Sequence, residues 1–112
     1  MNKEFEIEKV PKELDAEIVK VKDATVGECI QNGAQWNGDL NQPCIHLEYK
    51  FNRDGKEMNR EKIFTYRIEN EIKKISELSG LAKYIAKYGH PKEGQKVNLK
   101  LNDKGLYDLN LA

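Results

Sequence analysis

In the stretch Pro43-Cys44-Ile45-His46-Leu47-Glu48-Tyr49-Lys50-Phe51-Asn52-Arg53-Asp54-Gly55-Lys56, four apolar residues alternate with four polar ones before an Asp-Gly pair. In an extended backbone that alternation places Ile45, Leu47, Tyr49 and Phe51 on one face, and His46, Glu48, Lys50 and Asn52 on the other. Asp-Gly readily adopts the positive φ angles of a two-residue hairpin turn, so the chain is expected to double back at Asp54-Gly55. The returning strand is expected over Glu57 to Ile68, with Met58, Phe64, Tyr66 and Ile68 on one face and Ile63, Thr65 and Arg67 on the other. Its alternation becomes regular only near Lys62, which predicts a bulge around Arg60 and Glu61.

Towards the N-terminus, residues 33 to 43 are rich in Asn, Gln and Gly and hold the sole tryptophan, Trp36, in an expected surface loop. Before it, Ile18, Val19 and Val21 against Glu17, Lys20 and Lys22 predict a first strand over Ala16 to Ala24, which Val26, Cys29 and Ile30 would prolong. Residues 1 to 15 are read as a lead-in strand or arm, and 16 to 112 as the domain proper. Towards the C-terminus the period changes to about 3.6, with Leu78, Leu81, Ala82 and Ile85 on one helical face. Ser76 is the expected N-cap, residues 69 to 75 could add an earlier turn, and Tyr88-Gly89-His90-Pro91 ends the helix. Val97, Leu99 and Leu101 then alternate in a strand, and Asn102-Asp103-Lys104-Gly105 turns it into Tyr107, Leu109 and Leu111.

This order predicts an all-β domain with one helix: a five-stranded OB-like Greek-key barrel whose helix lies between strands three and four. An α+β sheet with a single packed helix satisfies the same order.

The chain has 112 residues, enough for one hydrophobic core, and 19 basic side chains balance 19 acidic ones. A net charge of zero excludes the global field behind strong nonspecific nucleic-acid binding, so any anion site must be a local patch. The segment from Lys50 to Arg67 is such a patch: Lys50, Arg53, Lys56, Arg60, Lys62 and Arg67 outnumber Asp54, Glu57 and Glu61. Trp36 supplies a flat ring for base stacking, which contributes about 1 to 3 kcal/mol per base; the competing role for Trp36 is to fold back over the barrel. These seven residues are the candidate nucleic-acid-binding set.

No Gly-rich phosphate loop, H-E-x-x-H or G-x-S-x-G is present, so no catalytic residue and no cofactor is assigned. Cys29, Cys44, His46 and His90 lack the close C-x-x-C pair of a zinc knuckle, so no metal site is expected, and the two cysteines are read as free thiols. With no signal-peptide-like or membrane-spanning apolar run, the protein is expected in the cytoplasm. The expected partners are single-stranded nucleic acid or another protein, a second copy of the chain included, and no membrane.

Three segments carry a resemblance. Val10-Pro11-Lys12-Glu13-Leu14-Asp15-Ala16-Glu17-Ile18-Val19-Lys20-Val21-Lys22-Asp23 looks like the opening of small single-stranded-DNA-binding-like proteins of phages and mobile elements. Ser76-Glu77-Leu78 is similar to that family's Ser-x-Leu helix start, and Gly94-Gln95-Lys96-Val97 resembles its Gly-x-x-Val strand start. The resemblance implies an OB-like fold and single-strand binding in replication or recombination. Two departures are visible: Leu14-Asp15 replaces a Gly-x-Tyr step, and no acidic tail follows the last strand. The alternative reading is a protein-interaction or assembly domain whose charges serve solubility.

Overall fold

A computed structural model describes residues 3 to 30 and 38 to 112. The elements run β1 (Glu13–Thr25), α1 (Val26–Cys29), β2 (Pro43–Arg53), β3 (Lys56–Thr65), β4 (Arg67–Glu69), β5 (Ile72–Lys74), α2 (Gly80–Tyr88), β6 (Lys96–Leu101) and β7 (Tyr107–Leu109). Five strands form one curled antiparallel sheet, a half-barrel, in the order β3-β2-β1-β6-β7, and β4 and β5 form a separate hairpin. No helix among the described residues is long and apolar enough to cross a membrane.

The alternating stretch forms β2, and its apolar parity faces the core: Leu47, Tyr49 and Phe51 are buried, with Ile45 packed against them. Asp54 (φ 52°) and Gly55 (φ 78°) make the tight turn, and Arg53 pairs with Lys56. From the other strands Ala16, Ile18, Phe64, Val97, Leu99, Tyr107 and Leu109 complete the core, and α2 adds Leu81 and Tyr84.

The structure differs from the sequence expectations in five places. The β2–β3 register runs unbroken from Cys44↔Thr65 to Arg53↔Lys56, so no bulge occurs at Arg60 and Glu61; the irregularity lies in β1, between Ile18 and Lys20. β1 stops at Thr25 and does not continue through Cys29, because Thr25 and Glu28 form a capping box that starts α1. This makes a second helix where one was expected. The strand expected to reach Ile68 ends at Thr65, and Ile68 and Met58 are exposed.

Residues 69 to 75 form no helical turn. Asn70 (φ 51°) and Glu71 (φ 65°) bend the chain into the β4–β5 hairpin, which Lys73 ties to Asp23 of β1 at 3.1 Å. Finally, α2 is capped by Ser79, one turn later than Ser76, and Leu78 is left 79% exposed. Gly80 explains the late start: a Cβ there would stand 3.0 Å from the Phe64 ring, so this helix end presses directly on the core.

Candidate nucleic-acid interface

Directly opposed residues of an antiparallel pair share a face, so the register sorts every charge on the sheet. Tyr49 opposes Arg60, Leu47 opposes Lys62, Phe51 opposes Met58, and Arg53 opposes Lys56. Arg53, Lys56, Arg60 and Lys62 therefore share the core-facing side of the β2–β3 hairpin and extend it as a cationic row along the edge strand β3. Lys50 has the opposite parity. It opposes Glu17 and Asn59, and its ammonium lies 3.8 Å from Glu17 and 3.9 Å from Glu57.

Each cation in the row has its own surroundings. Arg53 sits over the Tyr107 ring, 5.5 Å from its centroid, and Lys62 over the Phe64 ring at 5.9 Å. Arg60 spans the seam between the two edge strands of the half-barrel: its Nη1 donates to the Tyr107 carbonyl at 3.0 Å and lies 3.3 Å from Asp108. Lys56 is exposed at the hairpin turn. Arg67 lies on the separate β4–β5 hairpin, where its Nε donates to Glu69 at 2.9 Å. Trp36 lies outside the described residues. Of the seven sequence candidates, the fold thus brings four onto one face and places Lys50 and Arg67 elsewhere.

The opposite face of the β1–β2–β3 layer has mixed charge. Glu17, Lys20 and Lys22 of β1, His46, Glu48 and Lys50 of β2, and Glu57 and Glu61 of β3 lie on it. Lys96 holds the Glu17 carboxyl below its usual range by a hydrogen bond and by its charge. His46 Nε2 is buried 3.4 Å from Glu61 Oε2 without hydrogen-bond alignment. Such a surface offers a polyanion no net attraction.

Cys29 and Cys44 lie on this same side, where α1 meets the start of β2. Their sulfurs are 4.0 Å apart, both as thiols. Burial, followed by the neighbouring Cys29, pushes the Cys44 thiol up to about 11. Among the described residues no three His, Cys, Asp or Glu side chains converge as a metal site requires, so His46 and His90 do not join the two cysteines.

Sequence reasoning missed Tyr107 and Asp108, which receive Arg53 and Arg60. Their part in the interface depends on the sheet curling until β7 approaches β3, and no local pattern encodes that approach.

Comparison of the chain with protein-family models, curated proteins and solved structures returned no match.

Proposed function

We propose that this chain is a non-catalytic binding domain of OB-like Greek-key topology that takes single-stranded nucleic acid along the edge strand β3. The supporting observation is the alignment of Arg53, Lys56, Arg60 and Lys62 on one face of a single hairpin, in a protein whose net charge is zero. A local cationic row is what the phosphates of a polyanion need; the rings beneath it, Phe64 and Tyr107, are buried in the core, so base stacking falls to Trp36. The topology is supported by the long connection from β3 through β4, β5 and α2 to β6, which returns beside β1. In this reading Arg53, Lys56 and Lys62 meet phosphates, Trp36 stacks on a base, and Arg60 holds the seam.

The test is fluorescence anisotropy of a labelled oligothymidine over a salt series. Each phosphate contact contributes about −0.7 to the slope of log K against log salt for single strands, so three contacts predict about −2. Lys56→Ala with Lys62→Ala should flatten the slope by about 1.4. Lys50→Ala, on the opposite face, should leave it unchanged. Absence of saturable binding at low salt would overturn the proposal.

One observation favours the alternative, a protein-interaction domain. Phe5 and Ile7 are 83% and 94% exposed, and they alternate with Glu4, Glu6 and Glu8 in a stretch that joins no strand, ahead of Pro11 and Lys12, whose carbonyls accept from the Tyr107 hydroxyl and the Leu101 amide. The edge of β3 is open, and its alternation puts Lys56, Arg60 and Lys62 on one face and Glu57 and Glu61 on the other. Two copies of β3 joined antiparallel would oppose like charges, so β3 suits an acidic extended segment better than itself. Light scattering of the intact chain and of a variant lacking residues 1 to 10, which leaves β1 whole, distinguishes this reading by a change in assembly state.

A further inference from the structure

We infer that Cys29 and Cys44 form a thiol–disulfide exchange site that reacts with low-molecular-weight disulfides such as oxidised glutathione and closes an internal Cys29–Cys44 bond. The inference is independent of what the domain binds.

Three observations carry it. The sulfurs stand 4.0 Å apart, in van der Waals contact and without a bond, although the cysteines are 15 positions apart in the chain. The two differ in access: Cys44 is fully buried, whereas Cys29 is partly exposed and lines a shallow cleft with Lys20, Lys22, Glu28 and His46. Cys29 belongs to α1, a single helical turn held by the exposed Thr25–Glu28 capping box and by backbone bonds from Val26 to Gln42 and from Gly27 to Leu40. So short an element can shift by the distance that separates contact from a bond of about 2.05 Å.

The chemistry follows from this asymmetry. The Cys29 thiolate attacks one sulfur of the small disulfide; a mixed disulfide forms and one small thiolate leaves. Cys44 then gives up its proton to solvent, and its thiolate attacks Cys29 Sγ in line, forming the Cys29–Cys44 bond and expelling the second small thiolate, which takes a proton from water. Two protein thiols are oxidised, and one small disulfide is reduced to two thiols. Cys44 suits the second role: buried, it meets no bulk oxidant, and its only disulfide target is the neighbour on which the mixed disulfide forms. The product covalently ties the end of α1 to the start of β2.

The test is intact-mass spectrometry of the full chain after exposure to oxidised glutathione, with thiol counting by maleimide. The wild-type chain should lose two hydrogen atoms and both reactive thiols, stay a single chain on a non-reducing gel, and recover on addition of dithiothreitol. Cys44→Ser should stop at a stable glutathione adduct on Cys29. Cys29→Ser should remain unmodified in the folded state. A wild-type protein that stops at the mixed adduct, forms disulfide-linked dimers or keeps both thiols would overturn the inference. So would a Cys29→Ser variant whose Cys44 reacts as fast as Cys29 does in the wild type.

Discussion

Tyr84 and Gln95 form the one wholly buried side-chain hydrogen bond among the described residues, and removing the phenolic oxygen tests how α2 is held to the sheet. Tyr84 is fully buried against Phe64 and Tyr88, and its hydroxyl donates to Gln95 Oε1. Gln95 Nε2 donates in turn to the carbonyl of Tyr88, the last residue of α2. Tyr84→Phe keeps the ring and leaves Gln95 Oε1 with only a long contact from the Lys92 amide at 3.4 Å. Stranding a buried acceptor costs about 1 to 3 kcal/mol. For a chain of this length that is about 4 °C of melting temperature per kcal/mol.

The same side chain predicts a pH signature. Burial, followed by the neighbouring Tyr88, pushes the Tyr84 hydroxyl up to about 12 from an ordinary value of 10.0. The folded state keeps a proton that the unfolded chain releases near pH 10, so this contribution is complete below about pH 10 and is lost as the pH rises towards 12. At about 1.4 kcal/mol per unit the full loss is about 2 to 3 kcal/mol, and about half is gone at pH 11. Urea unfolding of the wild type and of Tyr84→Phe, at about pH 8 and about pH 11, reads this contribution together with its coupling to Tyr88, because titrating groups away from the pair cancel in the difference. The wild-type advantage should shrink by about 1 kcal/mol or more across that interval. A constant difference would refute the reasoning.

Two further substitutions examine the frame of the proposed interface. Arg60→Ala removes both the Tyr107 carbonyl bond and the Asp108 ion pair; with Asp108 half exposed, the loss should be about 1 kcal/mol. Faster amide exchange in β7 should accompany it, and unchanged exchange there would show that Arg60 does not hold the seam. Gly80→Ala should lower the melting temperature although alanine favours helix by about 1 kcal/mol, because the new methyl would stand 3.0 Å from the Phe64 ring. A rise would mean that the ring gives way freely.

The parts of this protein legible in the sequence are those in which one local pattern outweighs everything else. The period-two run from Ile45 to Phe51 and the Asp54-Gly55 turn specify β2, the start of β3 and the face that is buried. The terminal hairpin is as local: Asn102 Oδ1 accepts from the Lys104 and Leu106 amides, and Gly105 supplies the positive φ. Where local signals conflict, tertiary contacts decide. Leu78 matches the helical stripe and Ser76 can cap a helix, yet the chain enters α2 only where Gly80 meets Phe64. Asn70-Glu71 carries no strong turn signal, and its hairpin is pinned from outside by Asp23, which accepts from both Lys73 and the Tyr66 hydroxyl.

The candidate site divides in the same way. That residues 50 to 67 concentrate positive charge is a property of the sequence. Alternation also separates Lys50 from Lys56, Arg60 and Lys62, provided the register holds without a slip, and the unbroken β2–β3 ladder supplies that condition. What no local pattern encodes is the curl that brings Tyr107 and Asp108 of β7 to Arg53 of β2 and Arg60 of β3, or the placement of Cys29 against Cys44. Alternation and turn chemistry act over a few bonds and are written in neighbouring residues. Sheet curvature and the meeting of distant edges arise from packing summed over the whole core, so they exist only once the chain has folded.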